Sequence, residues 1–357
     1  MLTVAISLLA ASAIRAQNPT SQFNDLAARA AAARDQQNLP LALELYAQAE
    51  QLNPNWAEGW WNLALLNYNA SQYAPAIEAL NRLLQLEPHA APAMALRGLC
   101  AFETGAYDDS LRDLELAVAH GAADDPSHGP ILRYDLGLLL TRTGRFSDAL
   151  AQYRFLAVKH DDDPDLPLAI ALAGMRVRSL PQDVNAQDRE LYEAAGKAGY
   201  AFLADHSNDA DTLFRQLFAR YPVTPRLHYF YGILLSPHDR GMALEQFQQE
   251  VAISPSDEIS TALLAFMLMY AGRYSEALPF AERAVAAAPG IELAQLALAR
   301  SLIETGDEMR GLDLLNQVLQ HDPDSLEAHQ GLVAAYSRAG RREDAYRERM
   351  VCLGLVK

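Results

Sequence analysis

Two cysteines, Cys100 and Cys352, and nine histidines are the residues of this chain best suited to hold a metal ion or attack a substrate. A zinc site needs three or four such ligands at closing distance, and neither a His-Glu-x-x-His run nor a Cys/His cluster occurs. No Gly-x-Ser-x-Gly elbow and no glycine-rich phosphate loop ending in lysine is present. The run Asp161-Asp162-Asp163-Pro164-Asp165 lacks the ligand alternation and the glycine of a calcium loop, and reads as a solvated turn. One carboxylate-rich stretch, residues 164–208, carries Asp183, Asp188, Glu190, Asp205 and His206. These would serve a hydrolase only if they converged in one cleft. The other chemistry on offer is aromatic: Trp56, Trp60 and Trp61 are the only tryptophans, and 15 tyrosines and 11 phenylalanines supply the ring surface that anchors protein interfaces. Trp60 is expected in the core and Trp61 in contact with a partner.

Twenty-nine basic residues face 45 acidic ones, a net charge of -16, so no overall positive field draws in a nucleic-acid backbone. The first thirteen residues, MLTVAISLLAASA, are an apolar run too short to span a bilayer, and the small-residue pattern Ala11-Ser12-Ala13 follows its apolar part. Residues 1–16 are therefore expected to be a signal peptide and 17–22 a flexible linker, which places the mature chain in the periplasm or outside the cell. No later stretch approaches the roughly 20 apolar residues of a membrane span, and no lipobox cysteine follows the leader.

The elements that must position the aromatic residues are set by a ruler of about 34 residues. Pro54 and Pro88 stand 34 apart, and Pro222, Pro255, Pro289 and Pro323 follow at 33, 34 and 34. Small residues keep the same step, as in Ala30, Ala64 and Gly98, and again in Ala42, Ala76 and Ser110. Within residues 57–90, Trp60, Leu63, Ala64 and Asn67 form one helical face by their i, i+3, i+4, i+7 spacing. Ala70-Ser71-Gln72 breaks it. Pro75 sits just inside a second helix whose face is Ala76, Leu80 and Leu83, and Pro88 ends it. The unit is a helix hairpin in which Ala64 and Ala76 allow close approach. One hairpin cannot bury its own faces, so neighbours must stack.

Trp60, Leu63, Ala64, Tyr73, Ala76, Leu80 and Pro88 make this unit resemble the tetratricopeptide repeat, and Leu264, Ala265, Tyr274, Ala277, Ala284 and Pro289 repeat the pattern. The resemblance implies an all-α, right-handed α-solenoid of stacked helix hairpins, about nine repeats with an irregular insert in the middle. In that family the ligand groove is lined by first helices, on the face turned from the second. Carried onto this sequence, those offsets give Trp61, Asn62, Tyr68, Asn69, Phe102, Tyr134 and Arg142, then Tyr229, Phe266 and Tyr270, with Leu65, Leu99, Leu138, Phe230, Met269 and Arg300 alongside. A groove for an extended, apolar peptide or partner segment follows from the resemblance. The clamp by which some members hold terminal carboxylates is not evident, since only Asn62 stands at its offsets in the first block.

After residues 130–163 the step lengthens to 61, leaving 27 extra residues around an apolar helix expected from Pro167 to Ser179. Residues 23–163 are read as a first block of four repeats, 164–190 as an irregular insert at a block boundary, and 191–357 as a second block of five. The insert could instead be half of a degenerate repeat completed by the helix around 191–203. Arg347, Glu348 and Arg349 make the last unit read as a polar cap. The expectation is a non-enzymatic scaffold that binds a protein or peptide partner in the cell envelope, without cofactor, metal or nucleic acid. A self-assembling structural protein, or a hydrolase built on residues 164–208, are the alternatives.

Overall fold

The computed structural model describes residues 19–126, 128–159 and 163–356. The signal peptide expected over residues 1–16 lies outside the described residues, as do Gln17, Asn18, Asp161 and Asp162. The fold is all-α, with nineteen α-helices and no strand among the described residues. The chain forms two compact units, residues up to Leu139 and residues from Leu140 onward.

In unit 1 the helices are α1 (Pro19–Asp35), α2 (Leu39–Leu52), α3 (Ala57–Asn69), α4 (Tyr73–Leu86), α5 (Ala91–Glu103) and α6 (Tyr107–Ala119), and α7 (Gly129–Thr143) runs across the division. Residues 19–22, expected as linker, are the first turn of α1; proline at the first helical position is preorganised for that role. Helices α1/α2, α3/α4 and α5/α6 pair as hairpins, with α2 packed on α3 and α4 on α5. The turn inside a hairpin needs one left-handed residue. Ser71 (φ 56°) takes that conformation in the second hairpin and Gly105 (φ 77°) takes it 34 residues later. Small residues at the helix crossing are required by distance: a Cβ on Gly98 would lie 2.5 Å from the Leu114 side chain. Ala64 and Ala76 are fully buried at the matching contact.

Unit 2 continues with α8 (Phe146–Val158), α9 (Leu166–Gly174), α10 (Ala186–Leu203), α11 (Ser207–Arg220), α12 (Leu227–Leu235), α13 (Arg240–Ile253), α14 (Glu258–Tyr270), α15 (Tyr274–Ala287), α16 (Glu292–Thr305), α17 (Glu308–His321), α18 (Leu326–Arg338) and α19 (Arg342–Leu355). Pairs α10/α11 through α18/α19 are hairpins. The extra helix α9 is shorter than its apolar run, because Arg176 turns left-handed (φ 57°) just beyond its end. Every residue of α9 except Pro167 is buried, and the helix packs on α8, α10 and α12. Gly196 of α10 approaches so closely that a Cβ there would sit 1.8 Å from the Pro167 carbonyl oxygen. Gly174 and Gly199 close in the same way on the ring of Phe230, at 2.1 and 2.4 Å. The insert is thus a packed part of unit 2, seated against α10.

Candidate functional site: the first-helix faces

Unit 1 carries most of the expected groove residues, and the structure divides them. Trp61 and Tyr68 are half-buried on α3, packed on the hydrophobic core of the unit, and Asn69 is exposed at its last turn. Tyr68 meets Tyr73 edge-on at 6.0 Å, and burial, with the nearby charge of Asp135, raises its hydroxyl pKa. Phe102 is half-buried against Tyr107 at 5.5 Å, and Tyr134 is half-buried on α7. Asn62 is different. It is buried, its Nδ2 donates to the Glu58 carbonyl at 2.8 Å, and its Oδ1 accepts from Arg34 Nη1 at 2.8 Å. The side chain joins α1 to α3 and leaves little surface for a ligand. Trp60, expected in the core, is half-buried and donates its Nε1 hydrogen to the Pro54 carbonyl at 2.9 Å.

The first hairpin also hides a carboxyl group, on α2, that its sequence position does not advertise. Glu50 stands one repeat before Leu84, in a place where later repeats carry apolar residues such as Val251, Val285 and Leu319. It is buried, neither oxygen has a hydrogen-bond partner, and a Cβ on Gly59 would lie 2.0 Å from its Oε1. Burial pushes its pKa up to about 8.

In unit 2 the groove offsets converge on one cavity. Met269 and Tyr270 of α14, Tyr274 of α15, Leu296 and Arg300 of α16, and Glu327 and Gln330 of α18 line a space of about 120 Å³. Tyr270 is 44% exposed, is met edge-on by half-buried Phe266 at 4.8 Å, and lies under the Arg240 guanidinium at 5.1 Å. Burial raises the Tyr270 hydroxyl pKa, with Glu327 adding to the rise and Arg240 and Arg300 opposing it. The Arg300 Nε hydrogen is buried without an acceptor. An apolar ring beside an unsatisfied cationic donor suits a segment that offers one apolar side chain and one oxygen acceptor. Glu327 and Gln330 were missed from sequence because the groove offsets were not extended to the last repeat, where Gln330 takes the place of Trp61.

Elsewhere in unit 2 the expected groove residues do not join this cavity. Arg142 is exposed at the end of α7. Tyr229 is only 8% exposed: its ring lies under the Arg176 guanidinium at 5.4 Å, and its amide donates to Glu250 Oε2 at 3.1 Å. Arg176 is fixed in turn by Asp257, both of whose oxygens accept from Nη1 at 3.1 Å.

The carboxylates of residues 164–208 are dispersed. Asp188 accepts from Asn185 Nδ2 at 2.7 Å, Glu190 pairs with Arg220 at 2.6 Å, and Asp205, in the α10–α11 turn, stands 3.9 Å from Arg154. Asp188 and Glu190 line different clefts, Asp183 closes a short 3-10 turn, and His206 precedes α11. Among the described residues no group of three His, Cys, Asp or Glu side chains could hold a metal ion. Cys100 is buried and its thiol is pushed up to about 12 by burial, which removes its nucleophilic form at neutral pH. No helix among the described residues is long and apolar enough to cross a membrane.

The tetratricopeptide-repeat family model matches residues 27–86, 62–127 and 267–325. No curated protein matches the chain. Among solved structures, MamA is 19% identical over 57% of this chain and 96% of its own, with a TM-score of 0.40. YrrB, described as a TPR protein with an unusual peptide-binding site, is 19% identical over 61% of this chain and 97% of its own, at 0.34. Yeast Tom70 is 12% identical over 94% of this chain and 91% of its own, at 0.30. Repeats of this kind form protein-interaction scaffolds that are typically non-enzymatic. With the period of 34 residues, the small-residue crossings and the helix hairpins, the three matched segments are tetratricopeptide repeats.

Proposed function

We propose that this chain is a non-enzymatic scaffold of the cell envelope that takes an extended peptide or partner segment along its first-helix faces, with the cavity at Tyr270 as anchor. The observation that carries the reading is the convergence of Met269, Tyr270, Arg300 and Gln330 from three successive first helices on one cavity. A half-exposed ring there is the kind of group that dominates binding when a partner desolvates it, and the Arg300 donor supplies orientation. The apolar leader with its small-residue pattern supports export.

The test is capture from an envelope extract by the wild type, by Tyr270→Ala and Arg300→Ala, and by a variant changing Trp61, Tyr134 and Tyr270 together to alanine. Each variant is expected to keep its helical circular dichroism and to lose a partner that the wild type holds. Retention of every partner by the triple variant sinks the groove reading. For export, the intact mass of the chain from fractionated cells should show loss of about the first 16 residues, by the small-residue rule for cleavage. An unprocessed chain in the cytoplasmic fraction would overturn that part.

A further inference from the structure

The last described helix, α19, buries only Ala345. Tyr346 and Leu353 are 62% and 56% exposed, and Met350 and Val356 add to the same uncovered surface. The repeat register says what that surface matches. Counted from the small crossing residues Gly311 and Ala345, Tyr346 and Leu353 take the places that Leu312 and Leu319 hold in α17. Leu312 and Leu319 pack into the core that α17 shares with α18. On α18 the residues turned to the preceding repeat are Ala328, Gly331, Leu332 and Ala335, all buried. A Cβ at Gly331 would come within 2.9 Å of Leu315.

The same four positions of α1 are Asp25, Ala28, Arg29 and Ala32, and all are exposed. A single copy therefore presents both halves of a repeat-to-repeat contact, uncovered among the described residues. Register and charge select how they combine. In α19 the place of fully buried Leu315 is taken by exposed Arg349. Seated as α17 sits on α18, that guanidinium faces the position of Ala28, one helical turn from Asp25. α19 itself is balanced, with Arg342, Arg347 and Arg349 against Glu343, Asp344 and Glu348. The register pairs a second helix with a first helix, which α19 and α1 are, and seats Arg349 near Asp25. Asp25 now holds only Arg29, at 3.2 Å and well exposed, a pair that yields readily.

We propose that α19 of one copy docks on α1 of a second copy, in the register of the internal α17–α18 contact, with Tyr346 and Leu353 flanking Ala28 and Ala32 and Arg349 meeting Asp25. The contact is heterologous, so each docked copy still offers its other half and association continues beyond a dimer. It is independent of the groove and of any ligand there.

Sedimentation velocity of the full chain over a concentration series, at low and at physiological salt, tests this. Mass should rise with concentration and fall as salt rises. Arg349→Asp and Asp25→Arg, both at exposed positions, should each weaken association at least about tenfold. An equimolar mixture of the two variants should restore it, because each contact between unlike variants again sets opposite charges together, so that the two alternate along the assembly. A wild type that stays monomeric overturns the proposal. So does a mixture no more associated than its components, or association sensitive to Arg349→Asp but not to Asp25→Arg, which would mean that α19 pairs with itself or with another surface.

Discussion

Trp61 and Tyr229 occupy the same position of the repeat, yet one stands half-open on α3 and the other is closed under Arg176. The two helices read alike in sequence. The difference comes from the insert: unit 2 carries α9, whose end delivers Arg176 over the Tyr229 ring and whose glycine Gly174 clears room for the neighbouring Phe230. A groove offset is therefore open or shut according to what its neighbours in space supply.

The largest effect expected from breaking this comparison is at the closed site. Tyr229→Ala should lower the stability of unit 2 by about 4 kcal/mol, since it empties a packed aromatic site, while Tyr270→Ala should cost less than about 1 kcal/mol. Denaturant titrations followed by circular dichroism separate the two, and equal losses would erase the distinction. A second test uses the fact that all three tryptophans lie in unit 1. Glu50 stays protonated in the folded chain up to about pH 8 and ionises at ordinary carboxylate pH when unfolded. Stability of unit 1, read by tryptophan fluorescence, should accordingly be full below about pH 4.5 and decline up to about pH 8, by at most about 1.4 kcal/mol per pH unit. Glu50→Gln should flatten that decline, and a wild type whose midpoint ignores pH contradicts the buried, unpaired carboxyl.

A smaller effect probes the insert itself. Gly196→Ala forces a methyl into the Pro167 carbonyl and should cost unit 2 about 2 kcal/mol by circular dichroism while the tryptophan transition stays in place. If both transitions move together, the insert influences more than its own unit. The smallest change is a gain: Ser71→Gly relieves a left-handed backbone and should raise the stability of unit 1 by about 1 kcal/mol. No gain would mean that the serine side chain compensates for its conformation.

The hairpins were legible because their signals are local: the 34-residue step, the alanine crossings at Ala64 and Ala76, and the prolines at helix ends. The cavity was half-legible. Phe266, Tyr270 and Arg300 follow from register, but their meeting with Glu327 needs the next hairpin in place. Three features escaped for one physical reason, that they depend on partners far along the chain. Asn62 is consumed by Arg34 and Tyr229 by Arg176, and the seat of α9, a helix expected from its apolar run, is set by Gly196 and Phe230. Glu50 is a different kind of miss, since its apolar counterparts at Leu84 and Val251 were available for comparison. The last helix also read as polar from Arg347, Glu348 and Arg349, which drew notice from the exposed Tyr346 and Leu353 on either side.

The vacancies left by glycine beside large side chains bear on how such an array can be rearranged by recombination. Gly98 with Leu114, and Gly232 with Phe247, lie within one hairpin and travel together if that hairpin is duplicated or moved. Leu315 and Gly331 belong to successive hairpins, so a crossover between them separates a bulky side chain from the hollow made for it. The durable module for shuffling at that point is a second helix together with the first helix that follows, a segment offset by half a period from the hairpin that the eye picks out.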